Sequence, residues 1–193
     1  MKPSPSNPER TKLATGFSVH DYQVARDAQD SLKISEAIRK RFTERYISPV
    51  ADAEGKNGFA MMAISCLMIE ALESFYQGSG TTKGTVENAF RSFFARAEPF
   101  KEFRGHEQQF FKCVRCGILH QAEVTGGWKV KRKGPLFDQA TLTINATKFL
   151  RKLRLVLDEF CDGLKTAQWD SAEWKNVLKK MDAICKNCQK LPM

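Results

Sequence analysis

The sequence predicts an all-α fold, a bundle of five or six helices with a small β-hairpin or arm inserted at about residues 128–144. Apolar residues recur at helical spacing through most of the chain. Residues 58–76 are apolar nearly all round, which is typical of a helix at the centre of a bundle. Strand-like alternation is confined to residues 128–133 and 140–144, which a Gly-Pro pair separates.

The first half of the chain predicts three helices, each with an apolar stripe and a recognisable end. A proline follows the first and the third helix, and a loop rich in Gly and Thr follows the second. Their expected bounds are Val19 to about Tyr46, Gly58 to Tyr76, and Thr85, as the N-cap, to Ala97.

The second half predicts three more helices. A Gly-Gly pair ends the first of them, and side-chain caps begin the other two. Their expected bounds are Gly105 to Val124, a helix capped by Asn145 with an apolar stripe that reaches Phe160, and a last helix capped by Asp170 or Ser171 that ends near Cys188. The two alternating segments between the first and second of these helices are expected to form a small β-hairpin or an arm.

Two domain-level predictions follow from composition. Residues 1–16 are expected to form a disordered arm, because prolines recur there among polar residues with nothing apolar to dock. Residues 17–193 then form one helical domain, long enough to bury a substantial core. Fourteen Phe against three Tyr predict that rings without a hydroxyl group fill that core.

The chain is basic, with 31 Lys and Arg against 22 Asp and Glu and a net charge of +9. This charge favours an acidic partner such as RNA, DNA or an anionic surface. The longest apolar run, residues 59–69, is shorter than the roughly 20 residues that span a bilayer, and the N-terminus lacks the apolar core of a secretory signal. A cytoplasmic location with no membrane contact is therefore expected, and the six Cys are expected as free thiols.

One motif carries the chemistry. Residues 115–128 have the sequence RCGILHQAEVTGGW and place Arg115 and His120 late in an apolar helix. A His side chain, with an ordinary pKa of about 6.5, can take the proton of a ribose 2′-hydroxyl at neutral pH, and an Arg can bind the oxygens of the scissile phosphate. On an ideal helix the two side chains diverge by about 140°, so one helix does not easily aim both at one atom.

This layout resembles the HEPN superfamily, all-α domains that include metal-independent ribonucleases of toxin, antiviral-defence and RNA-processing systems. The resemblance covers roughly residues 20–185 in layout and rests on Arg115 and His120, with His120 as the general base or acid and Arg115 on the phosphate. It implies a homodimer with paired motifs, no metal or other cofactor, and an antitoxin or regulatory partner in a bacterial defence system. Family members often carry Asn directly after the Arg, where this chain has Cys116.

Three alternatives stand beside the nuclease. In the first, Arg115 is a solvated charge and His120 is an ordinary surface or core His. In the second, the chain is a non-catalytic helical interaction module of the same fold. The third is a zinc domain that binds metal through two CxxC pairs, Cys113/Cys116 and Cys185/Cys188, although structural zinc sites usually lie in turns between short strands. Zinc is not expected. The chain also lacks the glycine-rich loop of a kinase and the acidic motif of a two-metal nuclease.

A basic segment follows the motif. Trp128, Lys129, Lys131, Arg132 and Lys133 combine a stacking ring with positive charge, which suits a single RNA strand. The alternative is a solvated hairpin edge whose lysines prevent aggregation. Further along the chain, residues 148–154 carry four more basic side chains, which are expected to form a solvated helix face.

Overall fold

A computed structural model describes residues 11–53, 55, 57–80 and 86–189, and about 70% of the chain is helical. The helices are α1 Val19–Asp27, α2 Ser31–Phe42, α3 Ser48–Ala51, α4 Gly58–Tyr76, α5 Val86–Arg96, α6 Glu107–Gln109, α7 Cys116–Gln121, α8 Ala146–Thr166 and α9 Ala172–Gln189. Two π turns, Thr43–Ile47 and Phe110–Arg115, and a 3₁₀ turn, Glu98–Phe103, lie between them. The strands are β1 Lys12–Ala14, β2 Phe17–Ser18, β3 Lys129–Lys131, β4 Phe137–Asp138 and β5 Thr143–Asn145. The all-α fold with a small β insertion is confirmed.

Helix α4 is the central element, as its composition predicts. It packs against α5, α8 and α9, and Met62, Ile69 and Leu72 are fully buried. By length and hydropathy this helix is also long and apolar enough to cross a membrane, and 56% of its most apolar window is buried inside the protein. Burial in the bundle accounts for its apolar character, and the core helix of a water-exposed bundle has the same composition.

The core beside α4 consists largely of phenylalanine rings. Phe94, Phe103 and Phe110 contact one another with ring centroids 5.0–5.7 Å apart. Phe149 of α8 stacks on Phe110 at 5.6 Å, so the cluster joins the motif helix to the long helix α8. The predicted core of rings without hydroxyl groups is confirmed.

The first predicted helix is divided. The chain leaves the helix after Asp27, Gln29 adopts a left-handed conformation with φ of 53°, and Asp30 caps a new helix by accepting a hydrogen bond from the Lys33 N–H. The α2 segment continues through a π turn into α3, past Pro49, which stands near the N-terminus of α3 where its missing N–H is tolerated.

The predicted disordered arm is wrong for its last residues. Lys12–Ala14 pairs antiparallel with β2, and Leu13 and Ala14 are buried. The Leu13 carbonyl accepts hydrogen bonds from Arg41 and Arg45, so two apolar side chains and these bonds hold the segment on α2 and the π turn that follows it. Residues 1–10 lie outside the described residues, as does the predicted cap Thr85.

The inserted sheet differs from a simple hairpin. Strand β5 is central, β4 pairs with it antiparallel, and β3 pairs with it parallel on the other edge. Two strands of a hairpin are antiparallel, so the parallel pairing of β3 with β5 rules out the hairpin alternative, whereas a small β insertion is present. Phe137 supplies the reason, because it takes the place beside β5 while its ring stacks on Phe103 in the core. The predicted caps Asn145 and Ser171 are confirmed, since they accept hydrogen bonds from the N–H groups of Lys148 and Trp174.

Candidate functional site

The motif helix has an unusual course. Phe110–Arg115 forms a π turn, and only the following six residues, α7, are an α-helix. A π turn closes each hydrogen bond five residues back rather than four, so residues five apart return to nearly the same face. This places the buried ring of Phe110 and the guanidinium of Arg115 on one side of the helix, toward the core and α4.

Arg115 is held by α4. Its Nε donates to Oε1 of Glu70 at 2.8 Å, and Nη2 donates to Oε2 at 3.4 Å. The side chains of Arg115 and Glu70 are 16% and 13% exposed. Burial opposes the charged guanidinium, but the hydrogen bonds and the charge of Glu70 prevail and raise the pKa of Arg115 above its ordinary value. The alternative in which Arg115 is a solvated charge is wrong, because the side chain is oriented and mostly enclosed.

His120 lies in the last turn of α7 and is exposed. Arg115 ends the π turn and residues 116–120 are α-helical, so the two side chains diverge by about 140° and one chain does not aim both at one point. His120 is therefore not a core histidine, and its exposure fits an ordinary surface histidine as well as a catalytic one. Arg115 is thus fixed in direction while His120 is free to meet a ligand.

The motif helix ends three residues earlier than its Gly-Gly pair predicts. Ala122 adopts the left-handed conformation, with φ of 55°, and the chain turns back over the helix. The Thr125 N–H donates to the Cys113 carbonyl at 2.9 Å. Gly117 allows this contact, because a Cβ atom there would lie 2.5 Å from the carbonyl oxygen of Glu123. The fold-back brings Glu123 to the surface beside strand β3.

A cleft of about 790 Å³ lies at this point. Its walls come from the start of α4, the loop after α7, strand β3 with the residues that follow, and the first turn of α8; they consist of Gly58, Phe59, Glu123, Val130, Lys131, Arg132, Lys133 and Thr147. Three of the five predicted RNA-binding residues therefore share one concave surface. Phe59 and Glu123 are additions that the sequence analysis missed, and only the position of Glu123, three residues after His120, could have suggested one of them.

The other two predicted RNA-binding residues lie elsewhere. Trp128 is 5% exposed and stacks on Phe137, with ring centroids 5.2 Å apart and the planes 6° from parallel. The prediction that its ring stacks on an RNA base is wrong, because Phe137 already covers it. Lys129 is exposed on β3 but does not line the cleft. Phe59, with 37% of its surface exposed, is the ring that the cleft presents.

Within the cleft, the basic residues differ in freedom. Arg132 donates to the Gly55 carbonyl at 2.6 Å and approaches the Thr147 hydroxyl at 3.4 Å, so it ties the β insertion to its neighbours. Lys131 and Lys133 are exposed, and no ion pair involves either of them among the described residues. Arg39 and Arg96, by contrast, pair with acidic side chains, Arg39 with Asp158 and Asp162 and Arg96 with Glu73. Lys131 and Lys133 therefore present positive charge at the cleft that no acidic side chain pairs with among the described residues.

This charge continues on α8. A second concavity of about 350 Å³ is lined by Arg132, Arg151 and Arg154, so Arg132 stands between it and the cleft. Lys148 and Lys152 line a further depression on the same helix. The basic face of α8 therefore adjoins the cleft at Arg132, and the depression beside Lys148 and Lys152 is also lined by Glu98, Glu102 and Glu159.

The zinc alternative has no support in the geometry. Among the described residues, which include both CxxC pairs, no three His, Cys, Asp or Glu side chains gather where they could hold a metal ion. All six Cys are free. Cys66 and Cys161 are buried core residues, and burial raises the pKa of the Cys161 thiol to about 12.

The site thus contains an oriented Arg115, an exposed His120, and a basic cleft that begins at the end of the same helix. The structure does not bring Arg115 and His120 to one point within a single chain. Comparisons with protein-family models, with curated proteins and with solved structures find no match for this chain.

Proposed function

We propose that the protein is a metal-independent endoribonuclease that binds RNA in the basic cleft, with His120 as general base or acid and Arg115 stabilising the scissile phosphate. One observation carries the proposal: Glu123, three residues beyond His120, lines the same cleft as Lys131 and Lys133. Consecutive Cα atoms are about 3.8 Å apart, so the Cα atom of His120 lies at most about 11 Å from that of Glu123. His120 does not itself line the cleft, so the proposal has the bound strand extend beyond Glu123 toward the histidine.

The chemistry needs few groups. The His120 imidazole takes the proton of a 2′-hydroxyl, the resulting oxygen attacks the adjacent phosphorus, and the bond to the 5′-oxygen of the next nucleotide breaks. The 5′-oxygen takes the proton that the His120 imidazolium now holds and leaves as a hydroxyl, and the other fragment ends in a 2′,3′-cyclic phosphate. Glu70 occupies Nε and Nη2 of Arg115 and leaves Nη1 for a phosphate oxygen, so the guanidinium reaches the reaction already oriented.

A dimer would complete the site. Because Arg115 and His120 diverge on one helix, the proposal has a second copy supply the complementary residue across a twofold axis, as the resemblance to HEPN ribonucleases implies. The same resemblance places the protein in a bacterial defence or toxin system with an antitoxin or regulatory partner. RNA remains the substrate in either setting, because the mechanism begins at the 2′-hydroxyl.

A second candidate is a non-catalytic RNA-binding module. The ion pair between Glu70 and Arg115 favours it, because the carboxylate neutralises the charge that the phosphate would need. Both candidates bind RNA in the cleft, and only the first cleaves it. The test is therefore a cleavage assay and not a binding assay.

The experiment follows end-labelled RNA in excess EDTA with wild-type protein, His120→Ala and His20→Ala. His20 is exposed on α1 and serves as the matched control. We expect wild type and His20→Ala to produce cyclic-phosphate ends and His120→Ala to lose about 10²–10⁴-fold in rate, while DNA of the same sequence survives. Cleavage that persists in His120→Ala refutes the assignment, and binding without cleavage by wild type establishes the module.

A further inference from the structure

The cleft contains a group that phosphate binding does not explain. Of the described residues that line it, Glu123 alone is acidic, and it stands among Lys131, Arg132 and Lys133. Its Oε1 accepts a hydrogen bond from the Val124 N–H at 2.8 Å, and within the described chain it joins no ion pair. A carboxylate repels phosphate. A cleft built for the sugar–phosphate backbone alone gains nothing from it.

The backbone that carries this carboxylate is anchored to the motif helix. The chain on both sides of Glu123 is bonded to the motif helix, through Glu123 N–H to the Gly117 carbonyl at 3.4 Å and Thr125 N–H to the Cys113 carbonyl at 2.9 Å. The absence of a side chain at Gly117 lets the two segments touch. A carboxylate carried on an anchored backbone can select among ligands by geometry, because its Cα position does not shift to suit each one.

The cleft also presents an aromatic face. Phe59, in the first turn of α4, is 37% exposed beside the basic residues. Single-stranded RNA is recognised by stacking of unpaired bases on such rings, by hydrogen bonds to their Watson–Crick edges, and by cations that hold the flanking phosphates. The cleft contains a group for each of these three tasks. Phe59 can stack on a base, Glu123 can accept hydrogen bonds from its edge, and Lys131 and Lys133, unpaired within the described chain, can hold phosphates.

We propose that the cleft is a base-recognition subsite that takes guanine from a single RNA strand, with the base stacked on Phe59 and its Watson–Crick edge on the Glu123 carboxylate. Guanine presents two adjacent donors there, N1–H and the N2 amino group, which match the two oxygens of a carboxylate. Adenine and cytosine present an amino group next to an acceptor nitrogen, and uracil presents one N–H between two carbonyls. This inference rests on the proposed RNA binding and adds the substrate preference.

The test measures binding of fluorescent eleven-residue oligouridylates with guanine, adenine, cytosine or inosine at the centre, in the His120→Ala protein so that no RNA is cleaved. We expect guanine to bind about tenfold more tightly than adenine or cytosine, in the range of one bidentate contact. Inosine, which lacks the N2 amino group, should fall between them. Glu123→Gln should abolish the guanine preference while leaving affinity for plain oligouridylate within about twofold, since a neutral amide keeps only one acceptor. Phe59→Leu should weaken all oligonucleotides and keep their order, since stacking is tolerant of sequence.

The outcomes separate the two proposals. Binding that ignores the central base, or a guanine preference that survives Glu123→Gln, overturns the subsite and leaves the proposed RNA binding intact. Failure of any oligonucleotide to bind overturns both. Glu123 is exposed and its only side-chain hydrogen bond among the described residues is local, so Glu123→Gln should fold, and an unchanged melting temperature confirms it.

Discussion

Arg115→Ala and His120→Ala should both remove the activity, but only Arg115→Ala should also destabilise the protein. If both residues act on the scissile phosphate, either change removes most of the cleavage rate. Only Arg115 also holds the fold together. The Glu70 side chain is only 13% exposed, and removal of Arg115 leaves its carboxylate without a partner. His120, by contrast, is exposed in the last turn of its helix.

The magnitude follows from the burial of the pair. Exposed ion pairs contribute about 0.2–1 kcal/mol, and loss of one partner of a fully buried pair costs about 3–5 kcal/mol. The Glu70–Arg115 pair lies between these limits, so Arg115→Ala should cost about 2 kcal/mol. In a chain of this length 1 kcal/mol shifts the melting temperature by about 2–4 °C, which gives a fall of about 4–8 °C. His120→Ala should stay within about 0.5 kcal/mol of wild type.

The assay pairs thermal unfolding with RNA cleavage in EDTA for both variants and for the double variant Glu70→Gln/Arg115→Ala. In the double variant no unpaired carboxylate remains, so part of the lost stability should return while activity stays absent. An Arg115→Ala protein as stable as wild type would show that the ion pair does not form. Full cleavage by an Arg115→Ala protein that still folds would remove Arg115 from the mechanism.

Four further predictions test the site and the fold. Lys131→Gln/Lys133→Gln should lower the slope of the logarithm of the RNA association constant against the logarithm of salt concentration by about 1.4, since each lost phosphate contact on a single strand contributes about 0.7. In the same titration the control Lys175→Gln/Lys179→Gln, an exposed pair on α9, should leave this slope unchanged. Trp128→Ala should destabilise the protein by about 3–5 kcal/mol in urea unfolding, since its ring is a core ring; a stable variant that merely binds RNA less tightly would contradict this. Burial raises the pKa of the Cys185 thiol from 9.0 to about 11, so between these pH values the folded protein keeps the proton that the unfolded chain loses. The free energy of unfolding should therefore fall as the pH rises from 9 toward 11. Alkylation of Cys185 at pH 8, followed by mass spectrometry, should be about a hundredfold slower in the native protein than in urea. Light scattering should give a dimer at micromolar concentration, and a monomer with intact nuclease activity would refute the shared site.

The sequence predicts the helices better than it predicts their interruptions. Strong apolar periodicity and side-chain caps locate α4, α8 and α9, because burial and local hydrogen bonds both act within a few residues. The break at Asp30 is a missed capping signal inside an apolar stripe that continues across it. The parallel pairing of β3 with β5 depends on where Phe137 is buried, which is a contact between distant residues that periodicity does not contain.

The candidate site shows the same division. Arg115, His120 and the basic run stand out by residue type and spacing. That Glu70 orients Arg115 follows from the π turn and the packing of α4, and neither has a clear signature in the sequence. Trp128 was misassigned because an aromatic residue beside lysines has the same composition in a core as on a binding surface. Glu123 joins the cleft through the fold-back after α7, and Phe59 joins it because the start of α4 packs beside strand β3.

The π turn at Phe110–Arg115 also affects how the motif tolerates changes in chain length. A π turn contains one residue more than the α-helix around it. Loss of a single residue there, such as the exposed Lys112, can be absorbed by conversion of the turn to an ordinary α turn, with the helix on each side left in place. Loss of a residue within α7 cannot be absorbed in this way, because α7 contains no π turn, and it rotates His120 by about 100° around the helix axis. Related chains can therefore differ in length by one residue before the Arg and keep the same site, whereas the four residues between Arg115 and His120 are fixed in number.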